Sequence, residues 1–193
     1  MTQRLFAAIW PSADARDDLR GAVAAVRRAH PQLRWLPPER WHVTVAFLGQ
    51  ADADRATERL DAMLAGRPPH RGGAVDQGPE PIRLAGSGSF GPVLWVGVEH
   101  GPWLADLARR VQRALRTEDR RFRAHVTVAR CRGRDANRAA RAAVPALAGL
   151  RTAPWTPDEL TLVASITGPH PRYDVLRAWP LADSAASSDK EPP

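Results

Sequence analysis

The chain has 193 residues, 44% hydrophobic and 25% charged, as expected of a soluble globular protein with one substantial core, or two small lobes sharing one. No run of about 18 apolar residues occurs, so no membrane-spanning helix is expected, and the single Cys131 excludes a disulfide framework or a cysteine-based zinc cluster. The net charge of +7 suits a polyanionic partner, although with Lys190 the only lysine and Ala and Pro abundant, compositional bias accounts for it equally well.

Leu5 to Trp10 reads as a first strand ended by Pro11. Ser12 is placed to cap a helix over Ala13 to Arg28, with Leu19, Val23 and Val26 at helical spacing and Pro31 beyond its end. Arg34-Trp35-Leu36 is a short extended piece before Pro37-Pro38. Trp41 to Leu48 is a strand stopped by Gly49, and Asp52 to Leu64 is a second helix. Gly66 to Pro81 is a turn-laden stretch with room for a weak edge strand. Ile82 to Ala85 and Val93 to Val98 read as strands flanking a loop over Gly86 to Gly91.

Pro102 suits the first position of a third helix through Arg116, with Leu104, Leu107, Val111 and Leu115 on one face. Ala124 to Arg130 is a strand. An Ala-rich helix is predicted near Asn137 to Ala143, before Pro145. Glu159 to Ile166 and Tyr173 to Trp179 form a closing hairpin around Gly168-Pro169-His170-Pro171. Residues 183–193, rich in Ser, Ala and Pro, are expected to be disordered. Several strands are joined by links too short for a crossover helix, which predicts an α+β fold with antiparallel or mixed sheets. There is no Gly-rich dinucleotide fingerprint and no GxxxxGK[ST] phosphate loop, and the opening residues lack a secretory layout, so a cytoplasmic protein is expected.

The most specific feature is a repeat. His42-Val43-Thr44-Val45-Ala46 recurs 83 positions later as His125-Val126-Thr127-Val128-Ala129. In a strand, His and Thr two apart share one face while both Val residues take the other. Two such strands brought together would supply two imidazoles and two hydroxyls to one cleft. His30, His70, His100 and His170 lie in helix-end or Pro/Gly contexts and read as solvated. Neither motif has a carboxylate within four residues on its own face (Glu39 falls in the preceding loop, Asp135 beyond the strand), so no zinc ligand set is evident. No GxSxG elbow is present, and Cys131 reads as a small residue ending a strand.

The paired motifs resemble those of the 2H phosphoesterase superfamily, named for two His-x-Thr-x tetrads. Within it, the chain resembles the RNA 2′,3′-cyclic phosphodiesterases, formerly called 2′-5′ RNA ligases. The similarity extends to Arg4–Ile9, Trp41–Gly49, Phe90 with Leu94–Val98, Phe122–Arg130, Leu160–Ser165, Tyr173 and Trp179–Leu181. Ala124 stands where the family usually has Pro, and Val replaces Leu or Ile within the motifs.

The resemblance implies a bilobal α+β fold of pseudo-twofold symmetry over residues 1–182, with two antiparallel sheets facing across a central cleft and helices outside. It implies hydrolysis of 2′,3′-cyclic phosphate ends of RNA, or of small cyclic nucleotides, to 2′-phosphomonoesters without a cofactor. His42 would donate a proton to the 3′-oxygen and His125 accept one from water; the residues alone do not assign these roles. Thr44 and Thr127 would hydrogen-bond the non-bridging oxygens. Arg130 would reach the phosphate only if a bulge or twist turned it to the His face. Tyr173 and Phe90 are candidates for stacking on a base, with core packing as the alternative. Ligation in the reverse direction, or nucleotide binding without catalysis, are the competing functions. One chain carries both motifs, so a monomer is expected.

Overall fold

The computed structural model describes residues 2–65, 78–117, 121–168 and 172–181. Among these residues eight strands and four α-helices run in the order β1 (Thr2–Ile9), α1 (Ala13–Arg27), β2 (Arg34–Trp35), β3 (Val43–Asp52), α2 (Ala53–Ala65), β4 (Arg83–Phe90), β5 (Val93–Glu99), α3 (Pro102–Leu115), β6 (His125–Arg130), α4 (Ala136–Leu147), β7 (Glu159–Ile166) and β8 (Arg172–Pro180), with a 3-10 turn at Pro38–Arg40. The Gly66 to Pro81 edge-strand expectation lies mostly outside the described residues, as does the 183–193 tail. No helix among the described residues is long and apolar enough to cross a membrane.

All strand pairs are antiparallel, and the strand order is β4-β5-β6-β3-β1-β7-β8, with β2 also on β6. The sheet divides into two halves, β3-β1-β7-β8 and β4-β5-β6 with β2. Each half carries one motif strand at its inner edge. The motif strands meet through one bridge, Val43 to Val126, which links the two halves into a continuous ladder. Leu5, Ala7, Ile9, Val43, Val45, Val96, Val126, Val128, Leu160 and Leu162 line the covered face, all at most 1% exposed. Helix packing crosses the seam: α1, which follows β1, packs on β4 and α4, while α3, which follows β5, packs on β3 and α2.

Local chemistry explains most boundaries. The Ser12 hydroxyl accepts the Ala15 N–H at 3.2 Å and caps α1, and Pro102 opens α3. Three departures from the sequence-based expectation have clear causes. β3 continues past Gly49 to Asp52, and β4 runs through the stretch expected to be a loop, Gly86 to Phe90. In both strands the glycine has positive φ (67° and 64°) beside a register shift, so it forms a bulge instead of a stop. α4 extends to Leu147 with Pro145 inside it; placed in the last turn, the proline removes one N–H but does not break the preceding turns.

Gly88 belongs to β4 because the Trp95 indole lies over it. A Cβ at Gly88 would fall inside the van der Waals surface of that ring. Gly88→Ala should therefore destabilise the protein by about 1–3 kcal/mol, seen as a thermal midpoint several degrees lower. An unchanged midpoint would show that Trp95 can swing aside.

Candidate active site

The two motif strands are built alike. In β3, Ala7 pairs with Ala46 and Ala8 with Thr44, leaving Val45 as an extra, bulged residue. In β6, Leu94 pairs with Ala129 and Trp95 with Thr127, leaving Val128 in the same place. A bulge reverses the alternation beyond it. Val45 and Ala46 are both buried, as are Val128 and Ala129, and the next residues, Phe47 and Arg130, emerge exposed. The bulge that Arg130 requires to reach the His/Thr face is thus part of both copies.

Extending the Val43–Val126 register by one residue each way sets His42 across from Thr127 and Thr44 across from His125. The pseudo-twofold axis passes between the two valines, and each histidine sits at the register position opposite the other copy's threonine. Both histidines and both threonines are half-buried.

Each histidine is oriented in the same way. His42 Nδ1 lies 2.8 Å from the Arg40 carbonyl oxygen, and His125 Nδ1 lies 2.6 Å from that of Arg123. A carbonyl oxygen can only accept, so Nδ1 carries the proton in both rings. Nε2 is left as the nitrogen available for proton transfer. Arg40 and Arg123 occupy the same place, two residues before each histidine. This extension of the repeat is legible in the sequence and was the signal for the orienting carbonyls.

Aromatic rings hold the imidazoles. His42 stacks on Phe6 with centroids 4.6 Å apart, meets Tyr173 edge-on at 5.3 Å, and has Trp10 at 5.5 Å. His125 meets Phe90 edge-on at 5.2 Å and has Trp95 at 6.0 Å. The Arg40 guanidinium sits 5.2 Å from the Tyr173 centroid, and that of Arg123 sits 5.8 Å from that of Phe90. Tyr173 and Phe90 are therefore equivalent walls, each between its half's histidine and arginine. Phe6, Trp10 and Trp95 were missed by sequence reasoning because, on single strands, they look like ordinary core aromatics.

Burial disfavours the imidazolium form of both rings. It pushes the His42 pKa down from 6.5 to about 4; the Arg40 carbonyl opposes this, and the charges of His125 and Arg130 add to it. His125 is lowered by the same desolvation, against the Arg123 carbonyl, with Arg130 again adding to the shift. Arg130 thus acts electrostatically on both imidazoles at once. Among the described residues no group of three His, Cys, Asp or Glu side chains could hold a metal ion. Cys131 has its thiol 3.4 Å from the Gln32 carbonyl, and His100 lies exposed beside Gly101; neither joins the cleft. His70 and His170 are outside the described residues.

Residues 12–169 match the profile of the 2′-5′ RNA ligase superfamily, and the chain belongs to that superfamily. It is 28% identical over 163 residues to an RNA 2′,3′-cyclic phosphodiesterase from Geobacillus stearothermophilus, an alignment covering 78% of this chain and 48% of that protein. The chain thus spans about half the length of this curated relative. Among solved structures it is similar to E. coli LigT complexed with NADP+ (26% identity, TM-score 0.67, 94% of this chain and 99% of that one). It also superimposes on E. coli LigT complexed with 3′-AMP (24% identity, TM-score 0.69, 95% and 100%), a likeness of fold.

Proposed function

We propose that the protein hydrolyses 2′,3′-cyclic phosphate ends of RNA, or small cyclic nucleotides, to 2′-phosphomonoesters, with His42 and His125 as paired acid and base. The observation that carries this reading is the pair of imidazoles with Nδ1 tied to a carbonyl and Nε2 left for proton transfer, at one twofold seam. The activity of the Geobacillus relative and the nucleotide ligand of LigT support it.

In this mechanism a water oxygen forms a bond to phosphorus as the bond from phosphorus to the ribose 3′-oxygen breaks. One neutral imidazole takes the water proton, and the other, as imidazolium, protonates the departing 3′-oxygen. One water is consumed and the pair leaves with its protons exchanged. Groups on opposite sides of a pseudo-twofold axis suit this in-line geometry. The family resemblance assigns the donor role to His42 and the acceptor role to His125. Thr44, Thr127 and Arg130 would hold the non-bridging oxygens, and Tyr173 and Phe90 would fix the imidazole planes.

The lowered pKa values set the expected pH dependence. The free enzyme must carry one proton on the pair, and both sites hold it more weakly than an exposed histidine does. The bell for kcat/KM should therefore peak below pH 6.5 and above about 4. A bound anionic phosphate stabilises the imidazolium, so the kcat profile should peak at higher pH than kcat/KM. A kcat/KM optimum above pH 8 would contradict the buried-imidazole reading.

The direct test supplies a 2′,3′-cyclic-ended RNA to purified protein in EDTA and identifies the product. A new 2′-phosphomonoester is the expected result. A joined strand would point to ligation, and bound but unaltered RNA to a non-catalytic module. Loss of turnover in EDTA would overturn the metal-free mechanism.

A further inference from the structure

The two motif strands part company at one position. After the shared bulge, β6 presents Arg130 to the open face of the sheet, whereas β3 presents Phe47. Phe47 is 51% exposed and pairs across the ladder with Phe6, the ring that underlies His42. Cross-strand partners share a face, so Phe47 extends the cleft floor outward from His42. The Arg4 guanidinium lies 4.9 Å from its centroid. A large, exposed apolar ring next to an acid–base pair contributes little to the core and offers a flat face to a ligand.

Phe47 also lines a groove of about 1050 Å³ that begins at His125 and Thr44 and runs along β3 between α2 and the end of α3. Its walls carry Arg55 and Arg59 from α2, Arg116 at the end of α3, and Arg121. Among the described residues Asp52 is the one acidic side chain on these walls, and its carboxylate accepts the Arg55 backbone N–H at 3.0 Å. Arg59 donates to the Leu115 carbonyl at 3.4 Å, which ties α2 to α3 and holds that charge in place. A single phosphate group would engage one or two of these cations. Four, spread from α2 to the end of α3 and the loop before β6, suit a series of phosphates.

We propose that this groove binds the RNA strand that leads to the cyclic phosphate, with Phe47 stacking on a base and Arg55, Arg116 and Arg121 meeting backbone phosphates. Charged walls that track a backbone and an aromatic platform that accepts any base form a sequence-tolerant single-strand site. The polarity, with the strand's end at His125, rests on the phosphodiesterase reading. The substrate class is thus an oligonucleotide in preference to a mononucleotide.

The test is equilibrium binding of a ribohexamer ending in a 2′-phosphate against the matching mononucleoside 2′-phosphate, which needs no turnover. The hexamer should bind at least about tenfold tighter, with affinity falling as salt rises. An Arg55→Ala/Arg121→Ala double variant should lose most of that advantage and flatten the salt slope by about 1.4, at about 0.7 per phosphate contact. Phe47→Ala should weaken hexamer binding by about fivefold or more, and Phe47→Trp should retain it. Equal affinity for hexamer and mononucleotide, or an unchanged affinity and slope in the double variant, would overturn the proposal. Hydrolysis of a 2′,3′-cyclic mononucleotide, measured in parallel, should be unaffected by the Arg55→Ala/Arg121→Ala double variant. If the wild type fails to hydrolyse 2′,3′-cyclic-ended RNA, the phosphodiesterase reading falls, while hexamer binding still decides the groove.

Discussion

Replacing either His42 or His125 by alanine is expected to lower kcat/KM toward a 2′,3′-cyclic-ended RNA by at least about 10²-fold. The physical basis is proton inventory. Water is a poor nucleophile until a base takes its proton, and the ribose oxygen is a poor leaving group until an acid supplies one. Each imidazole is already in the tautomer that leaves Nε2 for this transfer, fixed by a carbonyl two residues earlier. Removing one ring should also remove one limb of the pH–rate bell, a change that a merely loosened structure would not produce. Circular dichroism and a thermal melt on each variant establish that the fold persists. Full activity in both variants would refute the assignment of these residues.

The second large effect is expected from the hydroxyls. Thr44→Val and Thr127→Val keep shape and strand preference and delete one hydrogen-bond donor each. Charge accumulates on the non-bridging oxygens as the new P–O bond forms, so a donor aimed there acts mainly in the transition state. The loss should appear in kcat, by about 10²-fold each, with KM changed little. The twofold arrangement predicts comparable losses, since each threonine lies across from the other copy's histidine. Unaltered kcat in both variants would transfer oxygen stabilisation to Arg130, whose charge influences both imidazoles.

The motif strands were legible because alternation sorts five residues into a valine face and a His/Thr face, and one identical frame appears twice. Helix boundaries were legible where a side chain acts on the backbone, as at Ser12 and Pro102. Glycine misled at Gly49 and Gly86, since positive φ serves a bulge as well as a turn, and only strand pairing tells them apart. Arg130 could be placed only conditionally, because the bulge at Val128 is a property of two paired strands and is not encoded in either alone. The rings around His42 come from β1 and β8 at opposite ends of the chain, beyond the reach of any local pattern.

Neither half of the sheet is a contiguous piece of the sequence. The half carrying His42 closes when β7 and β8 return to β1. Thr161, fully buried, seals that return by donating to the Ala8 carbonyl at 3.1 Å and accepting from Trp10 Nε1 at 2.9 Å, across 153 and 151 residues of chain. Contacts of such long range delay folding, since loop closure precedes any gain from pairing. The surroundings of His42 are therefore complete only when β8, which carries Tyr173, has paired with β7, so the order of that imidazole depends on the last strand of the sheet.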